Sequence, residues 1–285
     1  MKRYFLLCVL ILLGLKSGIA GNNISADSVE VEKWLSEALR SEKAADNYPL
    51  FFSSKLLGRP YVASTLEVNR REQLVVNVRE LDCTTFVENV VAMTLTVQNG
   101  KKDFATFKSY LEKIRYRDGR CNGYPSRNHY FSEWIESNVR LGLVEEIGGK
   151  PFTGKQTVNV NYMSSHPDKY PMLKGNEADI KKIRQNERAV SQRVVAYIPN
   201  SKLNAGKSEL NMVHDGDILA LVTKKSGLDI SHVGFAVWGK DGKLHLINAS
   251  SLHKKVVSEP MTLYEYMKKH PSNLGVRVIR IRCQI

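Results

Sequence analysis

The chain is expected to be an α+β protein, with helices in its first half and an antiparallel sheet in its second. Three observations lead there. Up to about residue 139, apolar residues recur at the three- and four-residue spacing of helices. From residue 194 onward, short apolar runs come in series, several rich in β-branched residues. Between two of those runs stands Asp241-Gly242, the dipeptide of a tight hairpin turn. Helices followed by hairpin-linked strands segregate into an α layer on an antiparallel sheet.

The first twenty residues form a separate expected unit. Lys2 and Arg3 precede an apolar run at 4–15, and Gly18-Ile19-Ala20 offers small residues for cleavage. That is the pattern of a secretory signal peptide, too short in its apolar part for a comfortable membrane span. Cys8 lies inside the apolar run with no small residue before it, so lipidation is not expected. Residues 21–285 are then expected to be one domain, exported to the periplasm without stable membrane insertion.

The elements follow in order. Ser25 or Asp27 can cap an amphipathic helix carrying Val29, Val31, Trp34, Leu35 and Leu39. A short helix fits 49–57 and ends at Gly58. Residues 74–78 read as extended. A helix is expected to start at Cys83, with Phe86, Val87, Val90 and Val91 on its apolar face, and to reach Asn99-Gly100. Further helices fit 103–114 and 130–139, the latter with Phe131, Trp134 and Ile135 inward. Residues 157–162 alternate like a strand. Residues 178–193 read as a polar helix in a solvated insertion. Strands are expected at 194–198, 217–222, 232–238, 243–249 and 276–281, and a last helix at 263–269.

The chain carries a formal charge of +13. Losing Lys2, Arg3 and Lys16 with the leader leaves about +10, which suits an anionic partner in the cell envelope. Export argues against nucleic acid, and no helix concentrates Lys and Arg as a DNA reader would. Cys83, Cys121 and Cys283 remain after cleavage, an odd number, so at least one thiol is left over; a Cys121–Cys283 pair is open. No CxxC or HExxH spacing appears, so neither metal nor other cofactor is expected.

Chemistry concentrates at Cys83. A thiol in the first turn of a helix faces unpaired backbone N–H groups and the positive end of the helix dipole. Both favour the thiolate, the form that attacks carbonyl carbon. Far along the chain, Ser231-His232-Val233-Gly234 opens a strand, and a hairpin brings Asn248 of the next strand toward His232. Cys83 as nucleophile, His232 as proton carrier and Asn248 as the group orienting the ring form a complete set. Their order along the chain is that of papain-like enzymes.

Asp82-Cys83-Thr84, Asp215-Gly216-Asp217-Ile218 and Ser231-His232-Val233-Gly234 resemble the motifs of the NlpC-type cell-wall peptidases, with Thr85 where those have glycine. The chain is more similar still to the N-acetylmuramoyl-L-alanine amidase-like family, formerly a domain of unknown function. That resemblance rests on Gly58-Arg59-Pro60-Tyr61, on residues 81–92 and on Ile114-Arg115-Tyr116-Arg117-Asp118-Gly119. It also rests on Ser126-Arg127-Asn128-His129-Tyr130-Phe131-Ser132-Glu133-Trp134 and on residues 228–234. It implies a papain-like fold of the NlpC type, with the helical half packed on the sheet. It further implies cleavage of the amide between N-acetylmuramic acid and L-alanine in soluble peptidoglycan fragments, notably 1,6-anhydro muropeptides. The wider group carries Tyr-x-x-Gly-Gly shortly before its cysteine. Here Tyr61 is followed by Val62-Ala63-Ser64-Thr65 and a longer insert, which argues against the wider group's cleavage at D-glutamyl–diamino acid bonds.

Four more residues are candidate substrate contacts. Asp82 can receive a substrate N–H or cap the helix. Tyr61 can wall the cleft or donate a hydrogen bond. Arg127 and His129 can bind sugar or lactyl oxygens, or anchor their loop. Tyr130, Phe131 and Trp134 are expected in the core. The rival readings are a stem-peptide endopeptidase and an inactive wall-binding module; acyl transfer from the same thioester is a third.

Overall fold

The computed structural model describes residues 24–282. The expected signal peptide, Cys8 and Cys283 lie outside them. Among the described residues no helix is long and apolar enough to cross a membrane.

The first half is helical, as expected: α1 (Ile24–Arg40), α2 (Glu42–Asp46), α3 (Tyr48–Leu56), α4 (Cys83–Gln98), α5 (Phe104–Arg115) and α6 (Phe131–Arg140). Two short strands, β1 (Val144–Ile147) and β2 (Gly154–Thr157), precede α7 (Tyr162–Ser165) and α8 (Glu177–Val190). Then come β3 (Val194–Pro199), β4 (Ile218–Thr223), β5 (Ile230–Trp238), β6 (Leu244–Ser250), β7 (Lys255–Ser258), α9 (Leu263–Lys269) and β8 (Asn273–Ile281).

One antiparallel sheet joins the eight strands in the order β2-β3-β8-β4-β5-β6-β7, with β1 also on β8. The expected meander holds from β4 to β7. The last strand departs from it. β8 inserts beside β4 and holds both β3 and β1 on its other edge. Its core residues Val276, Val278 and Ile279 are fully buried, as a central strand requires.

α4 is the central helix. Residues from Thr85 to Val97 are all buried, because other elements cover it on every side. It packs on α1, α3 and α5 and lies against β5 and β6. With Val233, Phe235, Ile247 and Ala249 of the sheet it forms the main core. The opposite sheet face carries Leu219, Leu221, Ala236, Leu246 and Val278, covered by Leu263 and Met267 of α9 and by Leu203, Leu210 and Val213.

Several expectations need correction. Val29 is 67% exposed and Leu39 is 38% exposed; α1 buries Val31, Trp34 and Leu35 as expected, and Ala38 completes that face. α1 also starts before Ser25 and Asp27, and Asp27 accepts from Arg79 Nε at 2.9 Å. The helix at 178–193 is no solvated insertion. Ile180, Ile183 and Val190 of α8 pack with Tyr124, Tyr130, Val158 and Leu173 in a third core. Residues 158–161 keep alternating burial but leave the ladder, and Tyr162 starts α7. Val158 bonds the backbone of Gln192 and Arg193, and Val160 N donates to Ser191 Oγ. The extended residues 74–78 belong to no strand.

Candidate active site

Cys83 is the first residue of α4 and is half-buried against the main core. Asp82 is its N-cap. Asp82 Oδ1 accepts from Thr85 N at 2.8 Å and Thr85 Oγ1 at 2.9 Å, and Asp82 N donates back to Thr85 Oγ1 at 2.9 Å. This reciprocal box satisfies helix-start donors and fixes where the nucleophile's backbone stands. Threonine in place of the wider group's glycine is thereby explained: its hydroxyl closes the cap. Capping is therefore the role of Asp82 visible in the structure.

The backbone on either side links Cys83 to the sheet. Tyr61 pairs with Leu81 in a parallel bridge, with Leu81 N donating to Pro60 O at 3.0 Å and Val62 N to Leu81 O at 3.1 Å. Tyr61 N donates to Lys254 O at 2.9 Å, in the turn from β6 to β7. Asn248 lies near the end of β6 that enters this turn. The β5–β6 register sets Phe235 opposite Ile247, so His232, the third residue of β5, lies at the same end. Farther in, the Phe86 and Phe235 rings meet edge to face at 5.6 Å. Cys83, Tyr61, His232 and Asn248 thus share one end of the sheet, although 149 positions separate Cys83 from His232.

His232 Nε2 lies 3.0 Å from Asn248 Oδ1. With Oδ1 accepting, Nε2 carries the proton and the Nδ1 lone pair is left for chemistry. His232 is 8% exposed and Asn248 fully buried. Burial pushes the imidazole down to about 4, with the Asn248 hydrogen bond raising it and His270 lowering it. The Tyr266 ring of α9 stacks beside His232 at 6.2 Å, and His270 stacks on Tyr266 at 4.3 Å. Gly234 makes the pair possible. A Cβ there would stand 2.5 Å from Ile247 O and 2.9 Å from Asn248 Cβ. Only a bare backbone lets β6 bring Asn248 this close.

The remaining candidates are arranged differently. Arg127 is 7% exposed and held by carboxylates. Its Nε donates to Glu72 Oε1 at 2.9 Å, its Nη2 to Glu72 Oε2, and its Nη1 to Glu67 Oε1 at 2.6 Å. The Tyr124 ring covers the guanidinium at 4.9 Å. His129 Nε2 lies 2.9 Å from Tyr124 O, and His129 N donates to Glu133 at 3.1 Å. Desolvation, with help from Arg127, lowers His129 to about 3. Both residues display the loop-anchoring alternative. Tyr130, Phe131 and Trp134 are buried, as expected. Among the described residues Cys121 has no disulfide partner.

Sequence reasoning missed Tyr266, Gly234, Glu67 and Glu72. Tyr266 has the spacing of a core aromatic, and the two glutamates look like solvated loop charges. Gly234 was on view within the histidine motif, with no sign of the contact it permits.

The family model of the N-acetylmuramoyl-L-alanine amidase-like proteins matches residues 51–276. No curated protein matches the chain. Among solved structures, an N-acetylmuramoyl-L-alanine amidase from Bacteroides uniformis is similar at 40% identity and TM-score 0.78, covering 82% of this chain and 97% of its own. A putative xylanase from Bacteroides fragilis is similar at 41% identity and TM-score 0.76, covering 81% and 99%. A Legionella pneumophila protein at 22% identity and TM-score 0.70, covering 92% and 96%, shares the fold.

Proposed function

Since the chain belongs to the N-acetylmuramoyl-L-alanine amidase-like family, we propose that it is an exported, periplasmic cysteine amidase of papain-like fold. Its substrates are peptidoglycan fragments, and it cleaves the bond between the lactyl group of N-acetylmuramic acid and L-alanine, with 1,6-anhydro muropeptides as the expected form. The observation that carries the reading is the buried His232–Asn248 pair, at the end of the sheet where the helix of Cys83 begins.

The mechanism follows from the chemistry of these groups. His232 is depressed by burial and is neutral at ordinary pH, so Nδ1 serves as the base. Cys83 Sγ adds to the lactyl carbonyl carbon as its proton passes to Nδ1. The oxyanion is met by the backbone N–H of Cys83, at the positive end of α4. Asn248 Oδ1 holds the imidazolium by its Nε2–H. When the C–N bond breaks, Nδ1 returns the proton to the departing alanine nitrogen. Neutral His232 then takes a proton from water as hydroxide adds to the thioester; the thiolate leaves, takes that proton back from Nδ1, and the muramic acid released ionises in water. Tyr61 walls the cleft beside the nucleophile.

Basic charge and an anionic envelope polymer fit together. The insert between Tyr61 and Cys83 favours the muramoyl bond over the stem-peptide endopeptidase reading. The test is product analysis by mass spectrometry on defined muropeptides. Free disaccharide and intact stem peptide are expected from the native chain, and neither from Cys83→Ala. Sugar-linked shortened peptides, or turnover by Cys83→Ala, would overturn the proposal. Muropeptide binding by the native chain without any turnover would favour a binding module.

A further inference from the structure

Residues 62–76 run between Tyr61 and the approach to Cys83 and form neither helix nor strand. A loop of this length is ordered only if something fixes it. Here the fixing groups come from one short stretch. Arg127 grips Glu67 and Glu72. Tyr116 OH donates to Glu72 Oε1 at 2.7 Å and to Gln73 O at 3.1 Å. Arg115 Nη1 donates to Val75 O at 2.5 Å and Arg115 Nε to Glu88 of α4 at 2.7 Å.

The anchoring stretch is itself rigid. Tyr116 bridges Arg127 across an antiparallel contact, and Asn128 N donates to Arg115 O at 2.9 Å. Arg115 is 1% exposed and Tyr116 is fully buried. The Glu88 carboxylate lies within electrostatic range of both Asp82 and Arg127, which sets the clamp beside the start of α4. The outer part of the loop stays open to solvent, with Val68 52% exposed.

We propose that Arg127 is a positioning residue: by gripping Glu67 and Glu72 it fixes residues 62–76 as one wall of the cleft, and this wall positions the substrate before Cys83. Arg127 then acts without touching substrate. A planar guanidinium is needed because one group must serve two carboxylates, one of them bidentately; a lysine supplies only a point charge. The inference rests on the proposed amidase function.

Two kinds of measurement separate wall from nucleophile. In Arg127→Ala and Arg127→Lys, kcat/KM on a muropeptide should fall about a hundredfold, as expected for a displaced positioning element. Alkylation of Cys83 by iodoacetamide, a small probe needing no wall, should stay within about twofold of the native rate if α4 keeps its cap. Added guanidinium should restore part of the activity of Arg127→Ala. Amide hydrogen exchange should quicken across 62–76 in both variants and stay slow in α4. Unchanged exchange in 62–76 overturns the proposal, as does full activity of Arg127→Lys or a parallel loss of alkylation. Glu72→Gln keeps the shape of the clamp while removing its charge, and it should show the same pattern if either arginine variant fails to fold. If the native chain does not cleave muropeptides, the amidase reading fails on its own, and hydrogen exchange still decides whether the clamp exists.

Discussion

Two buried polar groupings stand at the same end of this molecule, and they are built on opposite principles. His232 and Asn248 form a neutral pair, with one hydrogen bond at 3.0 Å and the Asn248 Nδ2 left without a partner. Around Arg115 and Arg127, by contrast, each cation meets a carboxylate: Glu88 for one, Glu67 and Glu72 for the other. Neutralised charge in a low-dielectric interior makes a rigid strut, because parting the pair exposes an uncompensated ion. A neutral imidazole held by one neutral partner is poised to change its protonation state. The first grouping can do chemistry, and the second can only hold shape.

The largest expected effect tests the strut. Arg115→Met strands Glu88 in the core beside α4, and losing one partner of a buried ion pair costs about 3–5 kcal/mol. Chemical denaturation should show that loss. The double variant Arg115→Met with Glu88→Leu should recover most of it, because no charge is then left unpaired. A single variant as stable as the native chain would mean that the pair carries no structural load, and the contrast between the groupings would fail.

Acid should act on the other grouping. His232 is lowered by burial from 6.5 to about 4 in the folded chain. A ring with a depressed folded pKa favours folding while neutral. Its contribution is complete above 6.5 and is lost as pH falls through that window toward 4. The loss attributable to this ring is up to about 3 kcal/mol. Glu88 works in the opposite sense, since burial raises its carboxyl and its contribution fades as pH rises. Subtraction isolates the histidine: His232→Gln should lose less stability on acidification than the native chain, measured by denaturation at pH 7, 5.5 and 4.5. Equal losses would mean that His232 titrates like a surface ring. In the native enzyme, the acid limb of kcat/KM should fall near pH 4 for the same reason.

How legible these groupings were in the sequence follows from their physics. The helix at Cys83 and the strands around His232 and Asn248 announced themselves by period, cap and turn, all of which are local. The expected Asn248 contact needed only a hairpin and its register. β8 entering the middle of the sheet left no local trace, because its apolar run looks the same at an edge or in the centre. Val29 and Leu39 sat at plausible helical spacing, and only the tertiary partners decided which face was buried. α8 looked solvated because its apolar positions are few. They suffice to close a core shared with Tyr124, Tyr130, Val158, Val160, Met163 and Leu173. Arg127 was read as a possible ligand because a sequence shows a cation and not its counter-charges. Glu67 and Glu72 lie 60 and 55 positions away from it.

The smallest expected effect bears on what holds the neutral pair together. Gly234 is not at a positive φ, so its importance is purely one of space. Adding a methyl sets a carbon 2.5 Å from Ile247 O and 2.9 Å from Asn248 Cβ, both on β6. Neither is the free end of a flexible side chain, so the strands must part. Overpacking of this kind costs about 1–3 kcal/mol. The activity should suffer more than that stability loss suggests, since the displaced atoms include those that hold the imidazole of His232. Gly234→Ala should therefore lose turnover while remaining folded at room temperature, with Cys83 still in place at the start of α4. An intermediate loss in Asn248→Ala, with no further loss when the two changes are combined, would show that they act through the same contact. Fully additive losses would instead separate the glycine from the orienting hydrogen bond.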